Sequence, residues 1–158
     1  MARPLGKATR QAYGDALLEV GEQFPNAVVL DGDLSKSTMT KGFAAKYPER
    51  FFNMGIAEAN MAGVAAGMST AGKIPFASSF ACFLMSKGYD QLRLAVAYSE
   101  SNVKIVTTHS GISIGEDGVS QMSVEDVAQA VALPGFVVMV PCDQYETRQA
   151  ILAAAKYE

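Results

Sequence analysis

The sequence predicts an α/β domain with a doubly wound, mainly parallel sheet that carries helices on both faces. Segments with apolar residues at helical spacing alternate with short apolar segments of strand length, an order typical of a parallel sheet. The strand segments are continuously apolar, which indicates burial on both sides of the sheet. The length of 158 residues fits one domain over residues 1–158.

The first half of the chain supplies three of the predicted strands. Pro25-Asn26 ends the first helical pattern, and Tyr47-Pro48 ends the second because a residue before proline disfavours helical dihedrals. The predicted elements of this half are helix Ala8–Phe24, strand Ala27–Asp31, helix Thr40–Lys46, strand Arg50–Asn53, helix Ala57–Ala71 and strand Ile74–Ala77.

The second half continues the alternation around a long glycine-rich loop. Its predicted elements are helix Phe80–Ala97, strand Val103–Thr108, loop His109–Met122, helix Val124–Ala132, strand Phe136–Val140 and helix Tyr145–Tyr157. Ligands of open α/β sheets bind beyond the carboxyl ends of the strands. We therefore expect functional residues in the segments after Asp31, Asn53, Ala77 and Thr108.

Composition and charge argue against several classes of protein. The net charge of -3 comes from interspersed acids and bases, without a Lys/Arg run to follow a phosphate backbone, so nucleic acid is not an expected partner. Neither a signal-peptide pattern nor a charge-free stretch of membrane-spanning length is present in the sequence. We expect a cytoplasmic protein that does not contact a membrane.

A metal site on this chain is not expected. Cys82 and Cys142 are far apart and lack the spacing of metal ligands, so we expect both to be reduced and structural. His109 is the single histidine of the chain. Without a cluster of cysteines or histidines, a site built from protein ligands alone is hard to assemble.

One helix carries an unusual acid. The segment Gly55–Gly67 is small and apolar nearly all round, which predicts a buried helix, and Glu58 is its single charge. Met61 and Ala62 share the face of Glu58 at helical spacing. Two interpretations stay open: Glu58 complements the helix dipole, or it has a function, because unpaired buried carboxylates are rare and costly.

Three strand-end segments also contain candidate residues. The segment 31–38 places acids and hydroxyls after a strand, where they could orient a ligand or form ordinary turn and cap contacts. Phe80 and Phe83 could offer a flat surface to an aromatic ring or fill the core. His109 lies at the carboxyl end of a strand, beside glycine-rich backbone.

Six segments, taken in order, resemble the central, pyrimidine-binding domain of transketolase. Each is modest alone, but their shared order and spacing are specific. They are Ala8-Thr-Arg-Gln-Ala-Tyr13, Asp31-Gly-Asp-Leu-Ser-Lys-Ser37, Gly55-Ile-Ala-Glu-Ala-Asn-Met61, Ser78-Ser-Phe-Ala-Cys-Phe83, Asp90-Gln-Leu-Arg93 and Gly115-Glu-Asp-Gly-Val-Ser-Gln-Met122.

This resemblance implies a role in binding the pyrimidine end of thiamine diphosphate. The family's glutamate, matched by Glu58, reaches the ring nitrogen N1′ from the neighbouring subunit and activates the cofactor. The same match implies that Phe83 stacks on the aminopyrimidine with Phe80 nearby. Asp33 and Leu34 would lie close to the thiazolium ring.

The resemblance also implies a substrate site and a reaction. Arg10, Ser37 and His109 would lie near a sugar phosphate, and Asp117 near a donor hydroxyl. The implied reaction moves a two-carbon ketol unit between sugar phosphates. Gln121 stands where many transketolases have histidine, although the animal-type enzymes also read Ser-Gln-Met at this point, so we expect Gln121 in the donor site.

Two domains of the family have no counterpart in the sequence, namely the diphosphate-binding domain and the C-terminal domain. We therefore expect a split or truncated transketolase that is inactive alone and pairs with a diphosphate-binding domain or subunit, as a homodimer or heterotetramer. Mg²⁺ or Ca²⁺ would be held by that partner. The small-residue helix at 57–71 is the expected contact surface.

Two rival interpretations remain. A deoxyxylulose phosphate synthase or a 2-oxo acid dehydrogenase component shares the glutamate motif and the domain fold, but Arg10 and the Ser-Gln-Met pattern favour transketolase. The other rival is a non-catalytic domain that keeps the fold for assembly. The presence of Glu58, Phe83 and Asp117 argues against that second rival.

Overall fold

A four-stranded parallel sheet forms the centre of the protein. The computed structural model describes residues 6–158, so the part of the predicted domain before residue 6 lies outside the described residues. The strand order is β2-β1-β3-β4. These strands are β1 Ala27–Asp31, β2 Phe51–Asn53, β3 Ile74–Phe80 and β4 Lys104–Thr108. Each neighbouring pair runs parallel, which confirms the predicted class of fold.

Helices connect and cover these strands. The α-helices are α1 Thr9–Gln23, α2 Ser35–Thr38, α3 Lys41–Lys46, α4 Glu58–Thr70, α5 Ala81–Lys87, α6 Tyr89–Gln91, α7 Asp126–Val131 and α8 Gln144–Lys156. A π-helix spans Leu92–Tyr98, and single 3₁₀ turns span Pro48–Arg50, Gly115–Asp117 and Val119–Gln121. Among residues 6–158, no helix is both long and apolar enough to cross a membrane.

The inner strand β1 is buried on both sides, as its continuous apolar pattern predicts. Successive side chains of a strand point to opposite faces of the sheet. Val29 packs with Leu17 of α1 and Ile151 of α8, whereas Leu30 packs with Met61 of α4 in a separate cluster. Helices therefore cover both faces, and the doubly wound arrangement follows.

The predicted strand Phe136–Val140 is wrong. This segment is irregular, and Val137 and Val140 are 60% and 66% exposed. The segment pairs with no strand of the sheet that residues 6–158 form, and a cavity of about 1090 Å³ is lined by both β4 and this segment. An apolar run favours extended backbone, but it does not specify the neighbour whose hydrogen bonds make a strand.

The predicted helix Phe80–Ala97 is also interrupted. Phe80 ends β3 instead of starting a helix, and Gly88 separates α5 from α6. A Cβ atom on Gly88 would lie 2.7 Å from the carbonyl oxygen of Leu84 and 3.5 Å from that of Glu58. The glycine thus lets the end of α5 approach the first residue of α4 closely.

Candidate functional site

Glu58 is a buried acid at the start of α4, beyond the carboxyl ends of β1 and β3. The residue is 2% exposed, and Met61 and Ala62 of the same helix are fully buried beside it. The small apolar residues of α4 let the helix lie directly against the sheet. This packing confirms the burial that the sequence predicts.

The two carboxylate oxygens of Glu58 have different surroundings. Oε1 accepts a hydrogen bond from Oγ of Ser79 over 3.2 Å. Oε2 is buried and has no hydrogen-bond partner among the described residues, and Nζ of Lys87 lies 3.6 Å away. Because a buried acceptor without a donor is costly, Oε2 marks a position where a ligand that donates a hydrogen bond would be stabilised.

Gly32, which follows β1, leaves room for this arrangement. A Cβ atom on Gly32 would lie 3.1 Å from Oγ of Ser79 and 3.6 Å from Oε1 of Glu58. A Cβ at this position would therefore press on Ser79, and it would reach ordinary contact with Glu58. Sequence reasoning missed Gly32 and Ser79, because their importance depends on the packing of β1 and β3 against α4.

The two candidate phenylalanines have distinct environments. Their rings stack with centroids 5.6 Å apart and planes 14° from parallel. Phe80 is 4% exposed and also contacts the ring of His109, with centroids 4.1 Å apart. Phe83 is half-buried, and Nζ of Lys87 lies 4.4 Å from its centroid. Phe80 thus fills the core, whereas Phe83 is partly exposed.

Asp31 anchors the loop that follows β1. Its buried carboxylate accepts hydrogen bonds from the backbone N–H of Leu34 at 2.6 Å and from the hydroxyls of Thr38 and Thr40 at 2.7 and 2.9 Å. Burial raises the pKa of Asp31, and these three hydrogen bonds oppose that rise. The turn-chemistry interpretation of the segment 31–38 therefore applies to Asp31.

Asp33 and Leu34 lie on the loop held by Asp31. Asp33 is exposed, has a left-handed backbone with φ of 65°, and accepts a hydrogen bond from Nδ2 of Asn53 at 2.9 Å. Asn53 in turn accepts from the backbone N–H of Gly55 at 3.0 Å. These contacts join the carboxyl ends of β1 and β2 to the segment that leads into α4.

Arg10 contacts Ser37, and the charges of Arg10 and Asp117 act on His109; we call these four residues the second polar group. Nη1 of Arg10 donates to the carbonyl oxygen of Ser37 at 3.2 Å. Burial lowers the pKa of His109, the cation of Arg10 lowers it further, and Asp117 acts in the opposite direction. The side chain of Gln121 accepts a hydrogen bond from Ser120 and makes none to this group within residues 6–158.

A buried acid and a partly exposed aromatic ring, placed beyond the carboxyl ends of parallel strands, define a ligand-binding domain of the doubly wound α/β class. The sequence profile of one family, described as "Transketolase, pyrimidine binding domain", matches residues 6–158. The chain belongs to this family of transketolase pyrimidine-binding domains.

Individual relatives agree with this assignment. A putative transketolase C-terminal section from Methanocaldococcus jannaschii is 51% identical over 152 residues, covering 96% of this chain and 48% of the relative. Human transketolase is 43% identical over 149 residues, covering 94% of this chain and 24% of the enzyme. A solved structure described as "Split gene transketolase, inactive beta4 tetramer" is 51% identical, with a TM-score of 0.86. The match covers 98% of this chain and 49% of that chain. The chain thus spans about half the length of the archaeal relative.

Proposed function

We propose that this chain supplies the pyrimidine side of a thiamine diphosphate site in a transketolase that moves two-carbon ketol units between sugar phosphates. The observation that carries the proposal is the buried Oε2 of Glu58, which has no hydrogen-bond partner among the described residues and shares Lys87 as a neighbour with the partly exposed ring of Phe83. Membership of the transketolase pyrimidine-binding family supports the choice of cofactor.

The residues present suit an aminopyrimidine ring. An acid at Oε2 can share a proton with a ring nitrogen, and Phe83 can stack on the face of the ring. Ser79 holds Oε1, which leaves Oε2 free for this exchange. Thiamine diphosphate supplies, when bound, the carbanion chemistry that ketol transfer requires.

The loop after β1 would flank the other end of the cofactor. Asp33 and Leu34 follow directly on Gly32, which itself contacts the Glu58 region. The hydrogen bond between Asn53 and Asp33 holds the exposed carboxylate of Asp33 in one position. We propose that Asp33 and Leu34 contact the thiazolium ring.

The second polar group would bind the sugar phosphate. Arg10 supplies a cation, Ser37 a hydroxyl and His109 an imidazole, which together suit a phosphate ester. The lowered pKa of His109 keeps its ring neutral near pH 7, so the ring can accept or donate a hydrogen bond. Asp117 and Gln121 would contact the hydroxyls of the donor sugar.

A partner would complete the site by holding the diphosphate and its Mg²⁺ or Ca²⁺. The helix α4 presents exposed small residues, Asn60, Gly63 and Gly67, on the face that does not contact the sheet. We propose that a diphosphate-binding domain or subunit packs on this face, in a homodimer or heterotetramer. The split-gene relative is described as an inactive tetramer, and this supports the expectation that the chain alone lacks turnover.

The test is ketol transfer by this chain mixed with a diphosphate-binding subunit, thiamine diphosphate and Mg²⁺. Glu58→Gln should lower turnover by about a hundredfold or more, because general acid–base groups typically contribute that much. Glu49→Gln is the matched control, since Glu49 is exposed and pairs only loosely with Arg50 at 3.7 Å. Undiminished turnover of a folded Glu58→Gln complex would contradict the proposal.

A further inference from the structure

The ammonium of Lys87 contacts both groups that the proposed function assigns to the pyrimidine ring. Nζ lies 3.6 Å from Oε2 of Glu58 and 4.4 Å from the ring centroid of Phe83. Oε2 is buried and has no hydrogen-bond partner among the described residues. A single cation therefore lies between the acid and the aromatic face.

A pyrimidine ring would need the same space. To stack on Phe83 while placing a ring nitrogen at Oε2 of Glu58, it has to enter between these two groups, where Nζ of Lys87 lies. Close-packed groups cannot share this volume. Lys87 also resembles the pyrimidine ring in the contacts that it makes. Both would place a positive or proton-donating group at Oε2 of Glu58, and both would lie over the aromatic face of Phe83.

Lys87 is able to leave this position. It is the last residue of α5, and its side chain is 50% exposed, so the ammonium can move into water on its flexible stem. The cation–π contact with the partly exposed ring of Phe83 is weak, and at 3.6 Å the ammonium makes no hydrogen bond to Oε2 of Glu58. The competition is therefore modest and reversible.

We propose that the ammonium of Lys87 competes with the pyrimidine ring of thiamine diphosphate for Glu58 and Phe83. This inference rests on the proposed function. It makes Lys87 a determinant of cofactor affinity, because the cofactor has to displace the ammonium from Glu58 and Phe83.

The test measures the Kd of thiamine diphosphate for the complex of this chain with a diphosphate-binding subunit, by calorimetry in the presence of Mg²⁺. Lys87→Met removes the charge and keeps a long stem, so binding should tighten about threefold to tenfold, the combined effect of two weak contacts. Lys87→Gln should act in the same direction. Lys87→Arg keeps a cation and should bind like the wild type.

Two controls make the result specific. Lys73→Met removes an exposed lysine before β3 and should leave the Kd unchanged. In the isolated ¹³C-labelled chain, Lys87→Met should shift the carboxyl resonance of Glu58, whereas Lys73→Met should not. Unchanged or weaker cofactor binding by Lys87→Met and Lys87→Gln would overturn the inference.

The outcomes also separate this inference from the proposed function. If the wild-type complex does not bind thiamine diphosphate, or Glu58→Gln binds and turns over normally, the proposed function fails. If the wild type binds and Glu58→Gln loses turnover, but removal of the Lys87 charge does not tighten binding, only the role of Lys87 fails.

Discussion

Ser79 at the end of β3 donates a hydrogen bond to Oε1 of Glu58 over 3.2 Å, across a separation of 21 residues in the chain. Both residues are buried, so water does not compete for this contact. The bond occupies one carboxylate oxygen and leaves Oε2 free. Ser79 is therefore a positioning residue for the acid in the proposed site.

We predict that Ser79→Ala lowers kcat of the assembled enzyme by about tenfold, because it frees the carboxylate to rotate. Ser79→Thr keeps the hydroxyl on a strand position that suits a β-branched residue, so it should restore most of the activity. Steady-state kinetics should show the loss in kcat with little change in KM for the sugar phosphate. An alanine variant as active as the threonine variant would rule out this role.

A second prediction concerns the charge on His109. The pKa of its imidazole should lie below the ordinary value of about 6.5, because burial and the cation of Arg10 disfavour the protonated ring. Proton NMR can follow this titration directly, since the chain contains one histidine. Arg10→Met should raise the pKa, and Asp117→Asn should lower it further.

The lowered pKa of His109 also makes the stability of the fold depend on pH. The unfolded chain binds a proton at His109 more readily than the folded chain, so this residue should lower stability as the pH falls below about 6.5. His109→Asn should remove that part of the pH dependence, because asparagine tolerates the left-handed φ of 58° at this position. Urea titrations of both proteins at several pH values check the difference. If the stability of the wild type and of His109→Asn depended on pH in the same way, the pKa of His109 would not be lowered by folding.

The third prediction tests the loop anchor at Asp31. Thr40→Val has nearly the same shape but removes a hydroxyl that donates to Asp31 over 2.9 Å, so it should lower the free energy of unfolding by about 1–3 kcal/mol. Thr70→Val is the control, since the hydroxyl of Thr70 donates to Gly67 at the exposed end of α4. Urea unfolding measures both. Equal effects of the two substitutions would show that burial of the acceptor does not matter here.

The fourth prediction tests the proposed partner surface on α4. Gly67 is exposed and has no atom within 4 Å of an added Cβ, so Gly67→Leu should fold normally. The bulky side chain should nevertheless block the diphosphate-binding subunit. Sedimentation of the mixed subunits should show loss of the complex for Gly67→Leu and retention for Gln149→Leu, which alters an exposed residue of α8. Normal assembly of the Gly67 variant would exclude this surface.

The burial of Glu58 could be predicted from the chain because helical spacing places Met61 and Ala62 on the same face. Its contacts could not be predicted. Ser79 and Lys87 come from β3 and α5. Gly32 leaves room for the contact of Ser79, and Gly88 permits the close approach of α5 to α4. The spacing of Phe80 and Phe83 likewise did not reveal which ring fills the core.

Local periodicity was sufficient to predict the α/β class and the four strands that pair in the sheet, because a strand buried on both faces, such as β1, leaves a continuous apolar pattern. It was not sufficient for Phe136–Val140, where the same pattern occurs in an exposed segment without a paired neighbour. Strand pairing depends on hydrogen bonds between segments distant in the chain. Only the tertiary arrangement decides which apolar segments obtain those bonds, and which side chains meet at the ends of the strands.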